Sequence, residues 1–262
     1  MKIAVNGIHI NYQIDGPEGA PWVTMSNSLA TTHRMWDPQM AAFTKPYRVL
    51  RYDKRGHGAT DVAPGPYSFE LLADDVLALL DALSISRTHF VGLSMGGMTG
   101  MTMALRKPSV LRTLVLCDTT SRDPLGDPAL WQQRIDTVRS GGMEAMVEAT
   151  VARFLTAETV KTRPELADAV RGMVRHTPVD GYAACCQAIS KLNLTDRLGG
   201  IAIPTLIVVG ADDPATTVEM SRTINERIGG SELVILKNAA HLSNMEQADA
   251  FNEAVLGFLA RH

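Results

Sequence analysis

Apolar residues recur along this chain in two alternating rhythms. Ile3-Ala4-Val5 and Ile8-His9-Ile10-Asn11-Tyr12 flank Asn6-Gly7. Asn-Gly supplies both positive φ angles of a type I′ turn, so this pattern predicts a β-hairpin. Short apolar runs follow at Trp22-Val23-Thr24-Met25 and at 47–52. From Ser68 to about Leu83 the period changes. Leu71, Leu72, Val76, Leu79, Leu80 and Leu83 fall on one face of a helix that Ser68 is placed to cap.

The two rhythms then alternate. His89-Phe90-Val91-Gly92-Leu93 predicts a strand, a Gly-rich turn follows, and a Met-rich helix spans 96–106. Leu111 to Cys117, Thr205 to Val209 and Leu233 to Leu236 predict further strands, and 246–260 a terminal helix. The stretch 121–197 breaks this order with helical periods and turn dipeptides but no strand. The predicted fold class is α/β: a hairpin leading into a mostly parallel sheet flanked by helices, with a helical cap insertion. Residues 1–120 and 198–262 form the core domain in this reading, and 121–197 the cap.

Composition narrows the partners. The net charge of −3 over 262 residues gives no electrostatic reason for nucleic acid or an anionic membrane as partner. An anionic small molecule stays open, because local charge governs a pocket. No apolar run approaches the roughly 18 residues of a membrane helix. The N-terminus reads as a strand start, without the apolar stretch of a signal peptide. Three cysteines, two of them adjacent at 185 and 186, form no disulfide framework and no metal spacing. A cytoplasmic protein without metal or cofactor is the expectation; oligomeric state is not written in the pattern.

Gly92-Leu93-Ser94-Met95-Gly96 matches G-x-S-x-G between a predicted strand and a predicted helix. A sharp strand-to-helix turn strains its central residue and exposes that side chain, and bulky neighbours two positions away would collide. Ser94 would then be a nucleophile, with the Met95 N–H at a helix start facing a developing oxyanion. The bland alternative is a serine in a Gly-rich loop with no chemistry.

A serine needs a base. Of seven histidines, His241 follows the last predicted strand, where α/β sheets gather ligand-facing residues. His33 and His176 are alternative pocket residues, and His57, in Arg55-Gly56-His57-Gly58, reads as part of a turn. The base needs an acid to fix its tautomer. Asp213, in Gly210-Ala211-Asp212-Asp213-Pro214, is held extended by Pro214 and completes the order Ser, acid, His. Asp212 and Asp118 are the alternatives.

Together these residues resemble the α/β-hydrolase superfamily over nearly the whole chain, including Asp53-Lys54-Arg55-Gly56-His57-Gly58. In that family the acid lies three residues after a Gly, which favours Asp213. A serine nucleophile sets the chain apart from haloalkane dehalogenases and epoxide hydrolases, which use Asp there. Ser26-Asn27-Ser28-Leu29 and Met35-Trp36-Asp37-Pro38-Gln39 are similar to the 3-oxoadipate enol-lactonases, as are Thr177-Pro178-Val179-Asp180-Gly181-Tyr182 and Ala240-His241-Leu242-Ser243-Asn244-Met245-Glu246. Ala30, Phe154 and Ala248 depart from that family, which is expected to have Gly, Trp and Pro.

The resemblance implies a small anionic lactone as substrate, opened by Ser94, His241 and Asp213. It implies an oxyanion hole from the Leu29 and Met95 N–H groups, and substrate contacts from Ser28, Trp131, Arg134 and Tyr182. Arg134 lies one helical turn from Trp131, and its guanidinium suits a carboxylate. Met143, Met146 and Phe154 are further wall candidates, whereas Met95, Met98, Met101 and Met103 read as core filling. A carboxylesterase, a carbon–carbon bond hydrolase, a perhydrolase and a non-catalytic receptor are the competing readings.

Overall fold

The computed structural model describes all 262 residues. In chain order the elements are β1 (Lys2–Val5), β2 (Ile8–Asp15), β3 (Trp22–Ser26), α1 (Asp37–Phe43), β4 (Arg48–Tyr52), α2 (Phe69–Ala82), β5 (Thr88–Leu93), α3 (Met95–Arg106) and β6 (Leu111–Cys117). Then come α4 (Pro128–Gly141), α5 (Val147–Phe154), α6 (Ala157–Thr162), α7 (Pro164–Arg175) and α8 (Val179–Ile189). The chain closes with β7 (Thr205–Gly210), α9 (Val218–Arg227), β8 (Glu232–Leu236), α10 (Ser243–Glu246) and α11 (Ala248–Leu259).

The eight strands form one sheet in the order β1-β2-β4-β3-β5-β6-β7-β8. The hairpin pairs β1 with β2 around Asn6 (φ 45°) and Gly7 (φ 76°), and β2 pairs antiparallel with β4. All later pairings are parallel. The central strands β5 and β7 are buried at every residue, as expected for parallel strands covered on both faces. Ser68 caps α2 by accepting from the Leu71 N–H at 3.2 Å.

The structure adds to the sequence pattern in three places, one of them α9, which the apolar spacing between 210 and 232 does not announce. A helix, α1, begins at Asp37 with Pro38 in its first turn, where a missing N–H costs nothing. The terminal helix is also broken: Gln247 (φ −122°, ψ 54°) separates α10 from α11, so 246–260 is not one helix. Ala248 opens α11, a position that a proline also tolerates, which accounts for one departure from the enol-lactonase pattern.

Between β6 and β7 the backbone forms helices, and only an isolated bridge between Arg122 and Asn193 is strand-like. This helical segment meets the rest of the chain backbone to backbone at two places: the Leu242 N–H donates to the Phe154 carbonyl at 2.9 Å, and Gly181 crosses Gly56. A Cβ on Gly181, in α8, would fall onto the Gly56 carbonyl, and one on Gly56 would lie 2.6 Å from the Gly181 Cα. Two glycines are required here by the closeness of the approach. No helix is long and apolar enough to cross a membrane.

Candidate active site

Ser94 follows β5 and stands at φ 54°, ψ −114°, a region costly to a residue with a side chain. The surroundings hold it there. Its N–H donates to the Cys117 carbonyl at 2.8 Å, and its own carbonyl accepts from Thr119 Oγ1 at 2.7 Å. A Cβ on Gly92 would strike the Gly96 carbonyl, and one on Gly96 the Ser26 carbonyl. The two glycines of the pattern are therefore steric requirements. Met95 opens α3, so its N–H has no intrahelical acceptor.

His241 lies in the loop between β8 and α10. Its Nδ1 is 2.9 Å from Asp213 Oδ2, so an Nδ1–H donates to the acid and leaves Nε2 as an acceptor. Asp213 follows β7 and is buried. It also accepts from Thr216 Oγ1 at 2.7 Å and from the N–H groups of Ala215 and Thr216 at 2.8 and 3.1 Å. Burial works against its charge, but His241 and these donors outweigh it and hold the carboxyl below its ordinary value. Asp212 is exposed and makes no contact with the ring. Phe154 lies over His241, with ring centroids 5.0 Å apart.

Ser94 and His241 line one cavity of about 330 Å³. Ser94 Oγ makes no hydrogen bond to the imidazole, and Nε2 instead stands 3.5 Å from Ser28 Oγ. Nucleophile–base bonds are often loose without substrate and tighten in the complex. Ser28 is thus placed beside the base. Leu29 lines the cavity, and its backbone N–H has no partner.

The loop from Asn27 to His33 is pinned by the segment after β4. Asp53 Oδ1 accepts the His33 N–H at 2.8 Å, Lys54 Nζ donates to the Asn27 carbonyl, and His57 Nε2 accepts the Ala30 N–H at 3.0 Å. Burial and the Lys54 charge push the His57 pKa down to about 3, so the ring stays neutral and can accept. The run 53–58 thus does more than turn: it braces the loop that presents Leu29. Ala30 sits at φ 58°, which explains why glycine suits that position better.

Trp131, Arg134, Phe154 and Tyr182 all line the cavity, and the Arg134 guanidinium lies 5.0 Å over the Trp131 ring. Met98 lines it as well, so it is not only core filling, whereas Met143 and Met146 are buried elsewhere. His33 is bound to Asp53 at 2.9 Å, His176 turns back on the Gly172 carbonyl at 2.7 Å, and neither reaches the cavity.

Arg153 is a site residue that the sequence pattern did not flag. It lines the cavity near Arg134, has Thr150 Oγ1 at 3.2 Å, and has no carboxylate partner; neither has Arg134. Burial, and then the Arg134 charge, lower the Arg153 pKa from its usual value. The Tyr182 hydroxyl is buried without a hydrogen bond and lies within the field of both guanidiniums. Two unpaired cations and an unpaired hydroxyl give this end of the cavity an unmet demand for an anion.

The alpha/beta hydrolase fold family model matches residues 21–248. A 3-oxoadipate enol-lactonase of Acinetobacter baylyi is 36% identical over 99% of this chain and 96% of its own length. A putative carbamate hydrolase, RutD, of Pseudomonas syringae is 30% identical over 92% of this chain and 94% of its own. Among solved structures, an enol-lactonase of Burkholderia xenovorans superposes with a TM-score of 0.96 at 42% identity, covering 99% of this chain and all of that one.

Proposed function

Because the chain belongs to the α/β-hydrolase family and is a hydrolase, we propose that it opens the ring of 3-oxoadipate enol-lactone to give 3-oxoadipate, with residues 121–197 as the cap over the site. The observation that carries the substrate is the pair of unpartnered guanidiniums, Arg134 and Arg153, in the cavity that holds Ser94 and His241. A substrate with an acetate arm supplies the missing carboxylate. The enol-lactonases among the relatives support the same reading.

His241 Nε2 takes the Ser94 hydroxyl proton as Oγ attacks the lactone carbonyl. Asp213 keeps the imidazolium oriented and stabilised. The tetrahedral oxyanion accepts from the N–H groups of Leu29 and Met95, donors typically worth about 2.7–4 kcal/mol each. The ring C–O bond breaks, the enol leaves with the proton from His241, and it becomes a ketone. Water then enters, His241 takes one of its protons, and hydroxide attacks the acyl-serine. Collapse returns the proton to Ser94 and releases the keto diacid. Tyr182, Arg134 and Arg153 hold the arm's carboxylate, and Trp131 and Ser28 shape the space beside the ring.

Ser94→Ala is expected to abolish turnover while leaving the melting profile in place. Enol-lactone hydrolysis near the wild-type rate in that variant contradicts the proposal. A carbamate assayed alongside separates this reading from the one suggested by the RutD relative.

A further inference from the structure

Asp118 follows β6 at φ 42° and is fully buried. It stands at a strand end, as the acid partner of a histidine does in some arrangements, yet it makes no contact with His241. Oδ1 accepts the Gly210 N–H at 2.8 Å, three residues before Asp213. Oδ2 is 2.5 Å from Ser243 Oγ, two residues after His241. One carboxyl group therefore touches the strand end before the acid and the first residue of α10, directly after the loop that carries the base. The Asp118 N–H donates to the Val208 carbonyl at 2.8 Å, so the residue is itself fixed to β7.

We propose that Asp118 is a positioning residue that clamps the Asp213 loop to the His241 loop through Gly210 and Ser243, and so sets the reach of the imidazole toward Ser94. This rests on the serine-hydrolase reading of the site. The left-handed backbone at Asp118 fits the role, since strain at a non-glycine residue persists only where surrounding bonds over-determine it. Burial, then the Asp213 charge, push the Asp118 carboxyl well above its usual range; Glu246 adds to this, and the bonds from Ser243 and Gly210 oppose it. Cys117, beside it in the chain, is also buried and held as the neutral thiol. Of the two acids, the surroundings favour the charge on Asp213 and oppose it on Asp118, whose Oδ2 accepts from Ser243 Oγ.

The test uses the full chain and a neutral aryl ester, so that it does not depend on the anionic substrate. Asp118→Ala and Ser243→Ala are each expected to lower kcat about tenfold with KM nearly unchanged, as when about 1.4 kcal/mol of transition-state stabilisation is lost. The double variant is expected to be no worse than Asp118→Ala, because Asp118→Ala already removes the bond to Ser243. Asp118→Asn accepts from Gly210 and donates to Ser243, so it restores kcat and keeps the acid limb of the pH–rate profile in place. If Asp118→Ala does not fold, Ser243→Ala carries the same test from the other side. Wild-type kcat in Ser243→Ala, or an Asp118→Asn variant with lost activity and a displaced acid limb, overturns the proposal. Ser94→Ala is the control: an active Ser94→Ala defeats the reading of the site, whereas an inactive one beside unaffected clamp variants defeats the clamp alone.

Discussion

A buried guanidinium without a carboxylate partner lowers the stability of a folded chain unless something outside the chain completes it. Arg153 is half-buried and approaches that position, with only Thr150 Oγ1 at 3.2 Å. Arg153→Gln is expected to lower kcat/KM for the enol-lactone by about 10- to 100-fold, the effect of losing one charge-assisted contact of about 1.5–3 kcal/mol. Hydrolysis of a neutral ester is expected to change little, and the melting temperature not to fall. Equal losses on both substrates in steady-state assays count against a carboxylate role. Arg134 was legible because Trp131 stands one helical turn away. Arg153 was not, because a single arginine in a helix looks like a solvated side chain until the tertiary fold turns it inward. Ser94, Asp213 and His241 could be read from their positions after strands, and the structure brings all three together. It leaves Ser94 unbonded to the ring, a detail of rotamer and loop packing that no spacing records.

The segment 27–33 owes its shape to neighbours more than to its own sequence. Lys54 is 4% exposed, and burial pushes its pKa down to about 7. In the unfolded chain this amine keeps its proton to about 10.4. Between these values folding releases a proton, so stability attributable to Lys54 rises with pH, by up to about 1.4 kcal/mol per pH unit. Denaturant titrations at pH 7 and pH 9.5 are expected to show wild type gaining on Lys54→Met over that range. A constant gap means that the amine is not displaced. The strands and the long helices followed directly from hydrophobic period. Helices α1 and α9 and the break at Gln247 did not, because helices of seven and ten residues have too few turns to show a clear period and the break leaves the apolar spacing intact.

The base loop and the helical segment are joined by several bonds. Glu246 accepts the Ala240 N–H at 2.6 Å and both the N–H and Oγ1 of Thr156 at 2.8 Å, and Leu242 donates to the Phe154 carbonyl at 2.9 Å. The Gly56–Gly181 contact closes the other side. Gly181→Ala is expected to destabilise the chain by about 1–3 kcal/mol, the usual range for overpacking, and to raise KM as α8 and Tyr182 are displaced. A melting temperature and KM equal to wild type show that α8 gives way without consequence. The segment could be read as helical because its apolar residues recur at helical spacing. Its seating could not, because a glycine pair far apart in sequence announces a contact only once the backbones are together.

That glycine pair also bears on how such enzymes diversify. A helical segment resting on side chains could be exchanged between relatives and re-fit by rotamer changes. This one rests in part on a bare main-chain crossing that no rotamer can adjust. A chimera that grafts a foreign segment 121–197 onto this scaffold must bring glycine at 181 and keep glycine at 56. New specificity is therefore reached more readily by substituting wall residues such as Arg153 in place than by transplanting the whole segment.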